Sequence, residues 1–434
     1  MLFRSTHRRS ALVAVGALAT AALLTACAGG SAPATEQGPL VTDPADISGE
    51  ITFSTWWSYA DDELIDGFKE QYPNVTVNLD FTAVDSYATK MQTLASSGDL
   101  PDVFAVQGPT LVALADAGQL MNLDDALGTP DYDADAGSEW GSTFVPSLLE
   151  GANSGIKADG TWGVPFTAIS VASLYNEDIF AEVGVTPPTS FDELLANCRT
   201  LSAAGYIPMS LTGAAWINWW PLLAQDQTMQ GEAEADFAVS NPSYIRSFEI
   251  VQEMAKAGCW TDSQITTDIA AETSLFLQGK TAQFVTVPEN FLKTVSEGAS
   301  FQLGSYVLPA LDGKTPNRTI GGGGANVLAV SASSENQSAA VAFAKYLTSP
   351  EVQTKLAASE FTIPSTQVDV AASSPLMVAY LDAAANGFAD EAAMPSFTTA
   401  GATTYNTEIL PNLILGKITP EQAAAATDGL FVTE

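Results

Sequence analysis

From Ile51 onward, short apolar runs alternate with amphipathic stretches. Ile51 and Phe53 alternate with polar neighbours as a strand does, and the strand reads to Thr55. Leu64, Ile65, Phe68 and Tyr72 then fall on one 3.6-residue face, predicting a helix over Asp61–Tyr72. A strand over Val75–Phe81, a helix over Tyr87–Ser97, a strand over Asp102–Val106 and a helix over Pro109–Ala117 follow. Repeated strand–helix–strand units of this size predict a parallel sheet covered by helices. A second α/β set begins near Trp162, with a strand over Val171–Tyr175 and a helix over Phe191–Ala203. Ser190 and Glu193 have the spacing of a capping box at that helix start. Ser349-Pro350-Glu351 and Thr419-Pro420-Glu421-Gln422 open two more helices, each with a hydroxyl N-cap and proline in the first turn. No repeat of solenoid length is present. A chain of 434 residues is too long for one compact core and predicts two domains.

The first residues belong to a different pattern. Arg4, Arg8 and Arg9 precede a short apolar run, Ala11–Leu24, which fits the central region of a secretory signal and is too short for a membrane span. The run ends in Leu24-Thr25-Ala26-Cys27, which resembles a bacterial lipobox. That resemblance implies cleavage after residue 26 and acylation of Cys27, so that acyl chains hold otherwise soluble domains at the membrane. Residues 27–47 then read as lipidated cysteine and flexible tether, poor in apolar side chains.

Charge narrows the partners. The formal net charge is −34, and losing Arg4, Arg8 and Arg9 with the signal makes it more negative still. Such a surface repels phosphate backbones, which argues against nucleic acid. The one histidine, His7, lies within the signal. Without it there is no imidazole for a Ser-His-Asp or Cys-His nucleophile or for a histidine-ligated metal. Cys198 and Cys259 remain, which in an exported protein form a disulfide or stay as two buried thiols.

Two motifs fail on inspection. Gly279-Lys280-Thr281 echoes a phosphate loop, but Ser274 stands where the upstream glycine is needed and a helical segment precedes it. Asp131, Asp133 and Asp135 have calcium-loop spacing, but Ala136 replaces the required glycine and Ser142 the final glutamate; a solvated acidic loop is expected. No metal and no cofactor is expected.

Aromatic residues are the distinctive feature. Trp56 and Trp57 arrive together at the end of the first strand, and Trp216, Trp219 and Trp220 cluster beside Asn218. Sugars offer apolar C–H faces and hydroxyl edges, which aromatic plates and side-chain amides suit. These tryptophans are either ring platforms of that kind or core. Adjacent strand residues face opposite ways, so one of Trp56 and Trp57 is expected in the core. Strand phase shared with Phe53 and Thr55 favours Trp57 as the ring offered to ligand. Gly321–Gly324 read equally as a flexible connector or as backbone open to a ligand.

Taken in order, several stretches resemble the extracellular solute-binding proteins of ABC importers, in the carbohydrate-binding group that includes maltose-binding protein. They are EITFSTWW with IDGFKEQYPNVTVNLDF, KMQTLASSGDLPDVFAVQG, WGVPFTAISVASLYNEDIFAEVGVTPPTSFDELL, FLQGKTAQFVTVPEN, YVLPALDG, GGGGANVLAVSASSENQSAAVAFAKYLTSPEVQTKL and ITPEQAAAA. The resemblance implies an α/β fold of the periplasmic-binding-protein type II kind, two lobes joined by three crossings with a ligand cleft between them. The crossings would lie near Val164–Ser170, Pro309–Thr319 and Phe361–Ser365. The lobes would comprise 48–165 with 315–362, and 166–314 with 363–434. Matching motifs carry the ligand contacts onto Trp56, Trp57, Ser58, Tyr59, Gln107, Gly108, Phe166, Trp216, Asn218, Trp219, Gly322, Gly323 and Asn326. Where the family often carries an aromatic residue, this sequence has Glu289 and Asn290, which would hydrogen-bond hydroxyls or pair with a cationic group.

The function so implied is capture of a mono- or oligosaccharide by hinge closure and delivery to a membrane permease with its ATPase. The protein would be a non-catalytic monomer anchored outside the cytoplasm. Two other readings stay open: a binding protein for a cationic or zwitterionic solute, and a secreted glycoside hydrolase using two carboxylates.

Overall fold

The structure is a computed structural model that describes residues 39–132, 137–211, 219–229, 237–289, 291–317, 325–368, 374–386 and 397–431. Strand β1 (Gly49–Thr55) pairs in parallel along its whole length with β2 (Val75–Phe81) and more briefly with β3 (Val103–Val106). The helix Asp62–Gln71 connects β1 to β2, and the Asp61 side chain caps it by accepting from the Leu64 N–H. The helix Val84–Ser97 connects β2 to β3 and stops at Gly98, whose φ of 80° closes the helix in a left-handed turn.

The sheet then departs from the parallel arrangement expected. Strand β8 (Ala325–Val330) lies antiparallel between β3 and β4 (Val164–Ala168), and β9 (Ile363–Pro364) lies antiparallel beyond β4. The full order is β2-β1-β3-β8-β4-β9. A second sheet, β6 (Gln283–Thr286), β5 (Ala172–Asn176) and β7 (Leu303–Tyr306), is antiparallel throughout. Local helix–strand periodicity predicts β1, β2, β3 and β5 and the helices between the first three. It does not register that β8 comes back to the first sheet from the second and so runs against β3.

Three passages connect the sheets: β4 to β5, β7 to β8, and β9 to the helix Met377–Ala385. Strand β4 runs on to Ala168 and β9 includes Ile363 and Pro364, so residues 167–168 and 363–364 pair within the six-stranded sheet. Each sheet has its own core. The first is built around the helix Gln337–Leu347, whose small alanines allow close approach and whose Phe343 ring meets Phe53 and Phe68 edge-on at 5.2 and 5.1 Å. The second sheet carries Leu174, Phe276, Phe284 and Tyr380 on one side. A larger cluster around Phe248, Trp220 and Leu413 includes Cys198 and Cys259, which form a disulfide.

The segment that resembled a calcium loop is not a solvated loop where it begins. Asp131 is buried, and burial raises its pKa. Nearby Lys345 donates to Thr129 Oγ1 at 2.6 Å and to the Pro130 carbonyl, with its ammonium over the Trp140 ring. Residues 133–136, including Asp133 and Asp135, lie outside the described residues. Among the described residues no cluster of three metal-ligating side chains occurs, and no helix is long and apolar enough to cross a membrane.

Candidate solute site

Strand ends from both sheets deliver polar groups to one point. Tyr59 lies in the turn after β1, Gln107 immediately after β3, Thr167 in β4, Asn326 in β8 and Glu289 just beyond β6. The β4–β8 register pairs Thr167 with Asn326, past an irregularity after Pro165. Such shifts re-aim a side chain, and here Thr167 meets Asn326 and Glu289.

Glu289 is the hub. Tyr59 Oη donates to its Oε1 at 2.6 Å, and Thr167 Oγ1 and Asn326 Nδ2 donate to its Oε2 at 3.3 and 2.9 Å. Asn326 Nδ2 also reaches Thr167 Oγ1 at 2.9 Å, and Gln107 Nε2 donates to Asn326 Oδ1 at 2.8 Å. That last bond fixes which end of the Asn326 amide faces the carboxylate. Glu289 is buried, and burial pushes its pKa up to about 7 against the opposing pull of the three donors. Tyr59 is raised well above the usual phenol range by the same burial and by the neighbouring carboxylate charge.

Aromatic rings pack against this hub. Trp57 lies 4.6 Å from Phe166 and stacks on Tyr59 at 6.3 Å, with 10° between the ring planes. It is wholly buried in the core of the first sheet, which reverses the expectation that Trp57 rather than Trp56 carries the free face. Strand parity fails here because β1 ends at Thr55. The Trp57 N–H donates to Thr55 Oγ1 at 3.0 Å, and its carbonyl accepts from the Ala60 N–H at 3.1 Å. The chain has turned before the second ring is placed. Trp57 Nε1 is buried with no acceptor among the described residues.

Trp56 is the half-buried ring of the pair. It stands edge-on to Tyr87 at 4.9 Å and lines a cavity of ≈ 90 Å³ with Tyr87, Met91, Val106, Gln107 and Thr110. Gln107 thus belongs both to the cavity wall and to the hydrogen-bonded chain leading to Glu289. Tyr87 is held by its own hydroxyl, which reaches the Ser54 and Ala105 carbonyls, each at 2.9 Å.

The structure therefore brings together Trp56, Trp57, Tyr59, Gln107, Phe166, Glu289 and Asn326. Ser58 is exposed in the same turn, and Gly108 begins the helix Gly108–Asp116 beside Gln107. Trp216, Asn218, Asn290, Gly322 and Gly323 lie outside the described residues, as does the side chain of Trp219, which begins the helix Trp219–Thr228. Thr167, Tyr87 and Met91 were missed by the sequence reading. Thr167 had a usable signal, since it directly follows Phe166 in the first crossing; Tyr87 and Met91 read only as the apolar face of a helix.

Residues 48–354 match the family model described as bacterial extracellular solute-binding protein. Among curated proteins, the chain is 24% identical over 239 residues to the sn-glycerol-3-phosphate-binding periplasmic protein UgpB of Brucella abortus, covering 52% of this chain and 53% of that protein. The Agrobacterium fabrum protein of the same name is 24% identical over 321 residues, covering 69% and 71%. The chain spans about half the length of most of these curated relatives. Among solved structures, the GacH receptor of Streptomyces glaucescens, determined unliganded and with acarbose, aligns with a TM-score of 0.71 at 22% identity, covering 88% of this chain and 97% of that one. UgpB from Mycobacterium tuberculosis in complex with glycerophosphocholine aligns with a TM-score of 0.69 at 20% identity, again covering 88% and 97%. The fold shared with these structures is the type II periplasmic-binding-protein kind.

Proposed function

Because the chain belongs to the bacterial extracellular solute-binding proteins, we propose that it is the solute-capturing subunit of an ABC importer and that its solute is a sugar, a mono- or oligosaccharide. The observation that carries this reading is Glu289, which reaches from the end of β6 to side chains of the other sheet among aromatic rings. A carboxylate and two amides suit hydroxyl edges, and the half-buried Trp56 ring suits an apolar sugar face. Capture on one lobe followed by contacts to the other favours the closed form, which a permease with its ATPase would recognise. Micromolar affinity, about −8 kcal/mol, needs only a few such hydrogen bonds and one or two stacked rings.

The rest of the assignment follows from the sequence. The ligand set includes Ser58, Gly108, Trp216, Asn218, Trp219, Asn290, Gly322 and Gly323 beside the residues assembled above. Cys27 carries the lipid that holds the protein outside the cytoplasm, the lobes divide near the three sheet-to-sheet passages, and the protein works as a monomer without catalysis, metal or cofactor.

One observation favours a second reading. The bonded partners of Glu289 among the described residues, Tyr59, Thr167 and Asn326, are all uncharged. A cationic or zwitterionic solute would supply the missing positive charge. Mass spectrometry of the solute released from protein purified from its native source separates the two, followed by calorimetry with that solute. A sugar recovered unchanged supports the first reading, an amine supports the second, and cleaved sugar would establish a hydrolase and overturn both.

A further inference from the structure

Glu289 joins the two sheets. It bonds Tyr59, Thr167 and Asn326, three donors contributed by the six-stranded sheet and the turn after β1, while its own backbone follows β6 of the other sheet. A carboxylate has about four lone-pair positions. Three donors occupy them here, one on Oε1 and two on Oε2.

We propose that Glu289 is a latch between the two sheets and that closing them takes up a proton. The identity of the site as the solute site rests on the function proposed above; the closure itself does not.

The proton linkage follows from burial. When the sheets part, Glu289 meets water and behaves as an ordinary carboxyl group near pH 4.5; in the closed arrangement its pKa is about 7. The closed form therefore binds more protons between these values. Closure is most favoured in acid and weakens as pH rises through 7. Two and a half pH units correspond to roughly a 300-fold change in the closed-to-open ratio. The groups facing Glu289 do not reverse this sign. Tyr59 stays protonated throughout the range, and Thr167, Asn326 and Gln107 do not titrate. The next charge is Glu360, whose field acts on Tyr59; it is paired with Lys293 at 2.7 Å, and Lys293 is itself drawn by Glu297 and Asp61.

The test is small-angle X-ray scattering of the full, solute-stripped chain between pH 5 and pH 8.5, with Glu289→Gln in parallel. The wild type should be compact at pH 5 and expand as the pH rises toward 7, with little further change above it. Glu289→Gln, neutral at every pH and still able to accept from Tyr59, should show no such transition. If that variant fails to fold, Tyr59→Phe removes one donor without adding charge and should open the wild-type structure at lower pH. Wild-type dimensions independent of pH, or a transition that persists unchanged in Glu289→Gln, would overturn the proposal. No solute enters the experiment, so its failure leaves the sugar reading standing, and failure to bind sugar leaves the scattering result intact.

Discussion

Trp56 and Trp57 are neighbours in sequence but should respond oppositely to removal. Trp57 is wholly enclosed and its ring contacts Phe53, Trp56, Tyr59 and Phe166. Replacing a buried tryptophan with alanine costs about 3–5 kcal/mol, and each lost ring pair adds roughly 0.5–1.5 kcal/mol beyond the area term. Trp57→Ala should therefore sit at the upper end of that range. Trp56 is half-buried against Tyr87 and borders open space, so Trp56→Ala should cost about 1–2 kcal/mol. Its larger effect should be on solute affinity, since it takes away the ring face that the cavity presents. Urea unfolding followed by far-ultraviolet circular dichroism measures the first quantity without depending on the tryptophans as probes. Calorimetry with the native solute measures the second. A Trp57→Ala variant within about 1 kcal/mol of the parent, or a Trp56→Ala variant that is the more destabilised and binds solute normally, would contradict this division of roles.

Three further outcomes follow from the same geometry. Replacing Cys198 and Cys259 by serine opens a bridge spanning 61 residues, and the chain-entropy relation gives a loss of about 4 kcal/mol in urea unfolding. Because burial raises Glu289 to about 7, the native state holds its proton more tightly than the unfolded chain does, so this group stabilises the fold in full below pH 4.5 and ceases to do so above pH 7. The stability difference between wild type and Glu289→Gln should accordingly widen against the wild type by up to about 3 kcal/mol across that window, read from urea melts at each pH. Gly163→Ala should destabilise the first sheet, because a Cβ there would lie 2.5 Å from Val327 Cγ1 and 3.3 Å from the Leu328 carbonyl; a loss of about 1–3 kcal/mol is expected, and an unchanged unfolding midpoint would contradict it.

Much of the local structure is legible from side-chain periodicity. The helix expected over Asp61–Tyr72 spans Asp62–Gln71 with Asp61 as its cap, and the strand expected over Val75–Phe81 has those limits. Thr419 caps its helix as expected and also forms a reciprocal capping box with Gln422. At the one box expected from spacing the pairing slips by one: Ser190 caps the Glu193 N–H, but the Glu193 carboxylate turns back to Thr189. Thr189 offers both an N–H and a hydroxyl, so two bonds are made there. Sheet direction was not legible, because β8 joins β3 and β4 through contacts more than a hundred residues apart in sequence. The site was legible as a set of strand ends and less so as a geometry. Alternation placed one of the tryptophans in the core but named the wrong one, since the turn at Thr55–Ala60 is set by side-chain and backbone hydrogen bonds that periodicity does not encode. Glu289 stood out as a departure from a family pattern. That it would cross to the other sheet, and find Thr167 there, required the fold.

On the proposed function, the space around Glu289 and Trp56 receives a hydroxyl-rich, uncharged solute and returns it unaltered. Mass spectrometry of the solute released from the natively purified protein tests this most directly. A neutral sugar recovered intact, whose rebinding weakens when Glu289 or Trp56 is replaced, is the predicted result. A phosphate ester, an amine or a cleaved sugar in its place would contradict it.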